Sequence, residues 1–228
     1  MSPSARLRLA DRAAAVLGAS GPIARAFAGS GVRYEARQGQ LTMTHAVGEA
    51  IEREQVLVCE AGTGTGKTLA YLVPAILSGR RVVVSTATKA LQEQVFTKDL
   101  PLLRQHLSPL GVQVSASLMK GLNNYVCRRR LQEALVSPPP FGAQMLAKLE
   151  AWARASETGD RAELGFLRDD DPVFYDVQSA SDTRIGQGCV FYEQCFVTKM
   201  RAAADESRVI VVNHHLYFAD LALRDSGV

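Results

Sequence analysis

The chain has 228 residues, 47% hydrophobic and 21% charged, with a formal net charge of +3. This is an ordinary balance for a soluble globular protein, long enough for one domain plus an insertion, and the mild basicity does not by itself announce nucleic acid. No apolar run approaches the roughly 20 residues that cross a bilayer, so no membrane segment is expected. The first 29 residues are alanine-rich, but Arg6, Arg8, Asp11, Arg12 and Arg25 interrupt them. Without an apolar signal core, a cytoplasmic chain with reduced thiols is expected. Its four cysteines then read as ligands or core thiols rather than disulfides. Residues 1–32 suggest a helical lead-in ending in turns at 18–22 and 29–31.

Leu41, Met43, Val47, Ala50 and Ile51 recur at near-helical spacing. The apolar run 56–59 then reads as a buried strand, with Cys59 a small core residue. It feeds Ala61-Gly62-Thr63-Gly64-Thr65-Gly66-Lys67-Thr68. Glycines there let the backbone curl its N–H groups around phosphate oxygens. Lys67 is placed to neutralise the β and γ phosphates of a nucleoside triphosphate, and the Thr68 hydroxyl can ligate Mg²⁺. A helix starting near Gly66 directs its positive end at the same phosphates, with Leu69, Leu72, Val73, Ile76 and Leu77 as its apolar face. The bland reading is a tight strand-to-helix connection; lysine and threonine in place between strand and helix patterns favour a triphosphate site. Ala61 stands where the strict motif has its first glycine, so ordinary backbone angles are needed there.

Residues 82–84 give a second apolar strand, Thr88 is placed to cap a helix running to about residue 100, and a third strand is expected over 112–118. Strands apolar on both faces and alternating with helices predict an α/β fold with a parallel sheet covered on both sides. After Cys127 the texture changes. Arg128, Arg129 and Arg130 enter a short helix and read either as a solvated face or as phosphate contacts. Prolines at 138–140 break that helix, another is expected over 143–156, and an acidic stretch follows at 169–171. A glycine-bearing segment, 183–189, and a helix over 196–204 lead to residues 209–212, again a buried strand. His214 and His215, on an extended segment, point to opposite sides and make a poor chelating pair; His45 and His106 lie in helical contexts.

Five segments in order resemble one family. They are Arg37-Gln38-Gly39-Gln40, the phosphate loop, Ser85-Thr86-Ala87-Thr88-Lys89-Ala90-Leu91-Gln92, Lys120-Gly121-Leu122-Asn123-Asn124-Tyr125-Val126-Cys127, and Val211-Val212-Asn213-His214-His215-Leu216. The chain is similar to the N-terminal part of the DinG/YoaA-type bacterial helicases, XPD-like members of helicase superfamily 2. Alanine is common in them at the place of Ala61. The resemblance implies an ATP-dependent DNA helicase moving 5′ to 3′ on single-stranded DNA. Its fold would be a RecA-like P-loop sheet flanked by helices, with a mostly helical iron–sulfur insertion. Residues 1–119 would begin the first motor domain, 120–205 would be the insertion, and 206–228 would return to the motor. Gln40, with Arg37 beside it, would recognise adenine; the alternative for both is a solvated turn. Thr86 and Thr88 would meet the DNA backbone, a role compatible with helix capping by Thr88. Cys127, Cys189 and Cys195 match ligands of a 4Fe–4S cluster. Tyr125, Phe191, Tyr192 and Phe196 beside them shield it, stack on bases, or form local core.

Two departures from the family pattern stand out. A fourth cysteine belongs a few residues before Cys189, and Arg184 occupies that position. A guanidinium is cationic and carries only donors, so a labile or absent cluster is expected. Second, no Asp-Glu pair follows the strands at 82–84 or 209–212; in the family it would come shortly after Asp220. That pair orients Mg²⁺ and handles the attacking water. The expectation is an N-terminal helicase fragment that binds ATP and single-stranded DNA with negligible turnover alone. The alternative is a non-catalytic nucleotide- or DNA-binding module, or half of a split helicase whose missing motor domain is carried by a complementing polypeptide.

Overall fold

The computed structural model describes residues 7–29, 34–138, 142–168 and 171–225. Ser30 and Gly31 of the expected turn, Pro139 and Pro140 of the helix break, and Asp169 and Asp170 of the acidic stretch lie outside them. The chain divides into two compact units: the described parts of 1–117 with 207–214, and of 118–206 with 215–228. The first unit holds α1 (Leu9–Leu17), α2 (Pro22–Gly29), α3 (Gln38–Arg53), α4 (Lys67–Leu77), β1 (Val82–Thr86), α5 (Lys89–Gln94) and α6 (Leu100–Leu107). β2 (Ala116–Leu118) ends at the boundary, and the second unit continues with α7 (Arg128–Val136), α8 (Ala143–Ala155), α9 (Pro172–Val177) and α10 (Phe196–Glu206). The chain then returns through β3 (Val209–Asn213) before α11 (His214–Asp225).

β3 lies between β1 and β2 and runs parallel to β1, with Val82 opposite Val209 and Thr86 opposite Asn213. Its central place is why residues 209–212 are all buried, while β1, at the edge, leaves Val83 47% exposed. Helices flank this small sheet, so the fold is α/β of the P-loop kind. Gln92 of α5, fully buried, donates from Nε2 to the Val211 carbonyl and ties helix to sheet. β2 is shorter than the 112–118 expected, because the Val114 carbonyl is taken by Arg104 Nε at 3.0 Å rather than by a strand neighbour. α3 packs so closely on α1 that a Cβ at Gly48 would lie 2.6 Å from the Ala10 Cα.

The strand expected at 56–59 does not form. α3 ends at Glu54 (φ 54°), and residues 55–60 run on without a strand partner among the described residues. Val56 and Val58 are 94% and 92% exposed, and Cys59 is exposed rather than part of a core. An open cleft of about 540 Å³ is lined by Met43, Val47, Leu57, Tyr71 and Val82, so this segment and the outer edge of β1 face a common space. A strand is held by ladder hydrogen bonds to a neighbour, and nothing described here supplies one.

Thr88 caps α5 as expected, its hydroxyl accepting the Leu91 N–H at 3.2 Å. The helix expected to reach residue 100 is interrupted by a π-turn at Val95–Asp99. His214 and His215 are not extended: β3 passes at Asn213 directly into α11, and His214 Nδ1 sits 2.7 Å from Ser85 Oγ. Among the described residues no helix is long and apolar enough to cross a membrane.

The second unit has its own core, which includes Tyr125, Leu131, Leu146, Leu149, Phe174 and Phe196. Tyr125 and Phe196 are therefore local core. Short antiparallel bridges, Tyr125 to Asp160 and Val126 to Gln178, join its loops. Lys120 and Asp160 form a buried ion pair, and the Tyr125 hydroxyl accepts the Lys120 N–H at 3.2 Å.

Candidate nucleotide-binding site and cysteine pocket

Gly66 precedes the first turn of α4 with φ 83°, and Gly64 has φ 76°, angles that glycine adopts without strain. Ala61 manages with ordinary angles, since Glu54 is the one non-glycine residue of positive φ among those described. At Gly66 a side chain has no room either: its Cβ would fall 2.2 Å from Gln40 Nε2. Gln40, 6% exposed in the first turn of α3, donates from Nε2 to the Gly66 carbonyl at 3.0 Å. Arg37, just before α3, donates from its guanidinium to the Gly64 carbonyl. The solvated-turn reading of these two residues is thus replaced by an anchoring one.

Beside this seam an open pocket of about 260 Å³ is lined by Phe27, Tyr34, Arg37, Gln40, Thr65 and Leu69. Phe27 and Tyr34 stack with ring centroids 5.7 Å apart, and the Tyr34 hydroxyl donates to the Leu17 carbonyl at 2.7 Å. An aromatic wall next to an anchored amide suits a planar base with donors and acceptors on its edge. Neither aromatic carried a motif signal in the sequence.

Lys67 Nζ donates to the Ala61 and Gly62 carbonyls at 2.6 and 2.9 Å, laying the ammonium across the loop. The Thr65 hydroxyl braces the same loop through the Gly62 carbonyl at 2.9 Å, while Thr63 is exposed. Burial pushes the Tyr71 phenol up, in spite of the opposing influence of the Thr68 hydroxyl. At the carboxyl end of β1, Thr86 is 8% exposed and donates inward to the Thr88 carbonyl at 3.1 Å. Thr88 is exposed. Of the two threonines, one supports the turn and the other presents it.

In the second unit, Cys127, Cys189 and Cys195 line one cavity of about 30 Å³ with Arg129, Arg184 and Tyr192. Arg184 Nη2 donates to the Thr198 hydroxyl at 3.1 Å. Burial pushes the Cys195 thiol up, but the N–H and hydroxyl of Thr198, the N–H of Val197 and the Arg184 charge outweigh it, leaving the thiol below its usual value. The arginine run is not a solvated face. Arg128 Nε donates to the Gln194 carbonyl at 3.0 Å, Arg129 to that of Thr183 at 2.9 Å, and Arg130 to that of Gln178 at 3.0 Å. A 4Fe–4S cluster is bound by thiolates. The donors here are three thiols and a cation, and among the described residues no group of three His, Cys, Asp or Glu side chains is placed to hold a metal ion. These residues do not fit the cluster.

The DEAD/DEAH box helicase family matches residues 42–140, from α3 through the phosphate loop into the second unit. The ATP-dependent DNA helicase YoaA of Haemophilus influenzae is 39% identical over 197 residues, covering 85% of this chain and 30% of that protein. YoaA of Escherichia coli is 38% identical over 210 residues, with shares of 91% and 32%. The ATP-dependent helicase DinG of Mycobacterium tuberculosis is 38% identical over 213 residues, with shares of 84% and 32%. The chain spans about a third of the length of these relatives. The helicase-family match and identity along most of the chain lead to one conclusion: the chain belongs to the DinG/YoaA-type helicases and corresponds to their N-terminal part.

Proposed function

We propose that the chain is the nucleotide-binding N-terminal segment of an ATP-dependent DNA helicase that moves 5′ to 3′ along single-stranded DNA in the cytoplasm. The observation that carries this reading is the pair of bonds from Arg37 and Gln40 to the carbonyls of Gly64 and Gly66. They join base-side residues and phosphate loop into one construction. Gln40 and the Phe27–Tyr34 wall take the base. Lys67 exchanges the Ala61 and Gly62 carbonyls for phosphate oxygens, and the Thr68 hydroxyl is the ligand offered to Mg²⁺, which when bound neutralises phosphate charge. Thr88, held by Thr86, contacts DNA phosphates without reading sequence.

Turnover belongs to a larger assembly in this reading. β1 and β3 end in Ser85, Thr86 and Asn213, none of them an acid that orients Mg²⁺ or a base for water. The exposed Val56 and Val58 and the outer edge of β1 support a sheet that other strands complete, from the same polypeptide or a complementing one. Titration with a fluorescent ATP analogue and Mg²⁺ tests the site. Saturable binding is expected, weakened about 10–100-fold in Lys67→Ala by loss of a charge-assisted contact. A folded wild-type chain that does not bind sinks the reading. Hydrolysis assayed with single-stranded DNA is expected to be negligible, and robust DNA-stimulated turnover would refute the division of labour.

A further inference from the structure

We infer that Arg184 takes the structural place of a fourth cysteine ligand, so that the cysteine-bearing second unit holds its shape without a metal cluster. The expectation of a cluster came from family membership; the inference itself stands on four observations within this unit. First, Arg184 lines the cavity it shares with Cys127, Cys189 and Cys195, and its Nη2–H bonds the Thr198 hydroxyl. Thr198 stands in the first turn of α10, so this bond joins the 183–189 segment to the helix that directly follows Cys195. A cluster would make that same connection by coordination.

Second, the other cysteine-flanking segments are tied to α7 in the same manner. Arg128 holds the carbonyl of Gln194, next to Cys195, and stacks over Phe196 at 4.3 Å. Arg129 holds the carbonyl of Thr183, next to Arg184, and Arg130 holds those of Gln178 and Tyr175. Each bond pairs a guanidinium with a carbonyl, the stronger class of hydrogen bond. Third, the unit buries its own apolar core, an independent source of stability. Fourth, the cavity, at about 30 Å³, is on the scale of a single water, and a fixed positive charge lines it. No fourth thiolate stands there to complete an iron's coordination, and a guanidinium, which carries only donors, does not replace it. The three cysteines remain free thiols. The unit is thereby independent of iron supply and of cluster oxidation.

The test uses the 228-residue chain, prepared with chelator and then subjected to limited proteolysis, thermal unfolding, and anaerobic reconstitution with ferrous iron and sulfide. The iron-free chain is expected to resist cleavage within 118–206, to unfold cooperatively and to retain only substoichiometric iron. Arg184→Ala is expected to lower the unfolding midpoint and open 183–189 to protease. Arg184→Cys, reconstituted in the same way, is expected to take up iron and sulfide and develop charge-transfer absorbance. The inference is overturned by any of four results: stable four-iron binding in the wild type; an iron-free chain cleaved throughout 118–206 until reconstituted; Arg184→Ala indistinguishable from wild type; or Arg184→Cys remaining iron-free. None of these readouts depends on nucleotide binding, so failure here is distinguishable from failure of the helicase reading.

Discussion

Gly66 carries two requirements at once: a positive φ and a space for Gln40 in place of a Cβ. Gly66→Ala meets neither, and displacing Gln40 pulls the base-side wall from the phosphate loop. We expect a lowered unfolding midpoint and at least about tenfold weaker nucleotide binding, measured by analogue titration, from roughly 1–2 kcal/mol of backbone strain alone. Asp99 offers a different residue-level test. It lies in the π-turn between α5 and α6, with Oδ2 buried and without a hydrogen-bond partner. Burial pushes its carboxyl above the usual 3.8, against the pull of Lys98. The folded state therefore holds this proton more tightly than the unfolded chain, so stability falls as pH rises from that value through the raised one and stays reduced above it. Asp99→Asn removes the penalty. Thermal unfolding should show a small gain at neutral pH, none well below the carboxylate range, and a flatter profile between.

At the scale of elements, the segment Lys120–Val126 binds the second unit from within. Lys120 pairs with Asp160, its N–H reaches the Tyr125 hydroxyl, and Asn124 Nδ2 closes onto the Gly121 carbonyl at 2.9 Å. Lys120→Met alone leaves a buried carboxylate unpaired and should cost about 3–5 kcal/mol in denaturant unfolding. Adding Asp160→Asn should restore much of that loss, because the cost comes from an uncompensated charge rather than from missing attraction. In the first unit, Thr88→Ala removes the cap of α5 and should cost about 1 kcal/mol. Capping was legible in the sequence because it depends on a hydroxyl and an N–H three residues apart. The purpose of Arg128, Arg129 and Arg130 was not: their carbonyl acceptors lie 45 or more residues away.

Across the molecule, the fate of each apolar run depends on neighbours. Residues 209–212 and 56–59 are both short and apolar, yet the first is buried between two strands and the second lies along an open cleft. Val58→Ser should therefore change stability by no more than about 0.5 kcal/mol, as at an exposed site, and Cys59 should react readily with a thiol reagent in the folded chain. A cost above about 2 kcal/mol on chemical denaturation would mean that the segment is buried after all.

The sequence by itself determined the local chemistry: glycines where φ turns positive, Lys67 and Thr68 at the start of a helix, the Thr88 cap, and apolar runs able to become strands. These follow from backbone sterics and from partners within a turn of one another. Only the tertiary structure decided which apolar run found a ladder, that Arg37 and Gln40 reach carbonyls 27 and 26 residues ahead, and that arginines tie down the loops around the cysteines. Those outcomes rest on contacts between segments distant in the chain. Spacing along the sequence does not record them, because a side chain's partner is set by which surfaces the folded backbone brings within bonding distance.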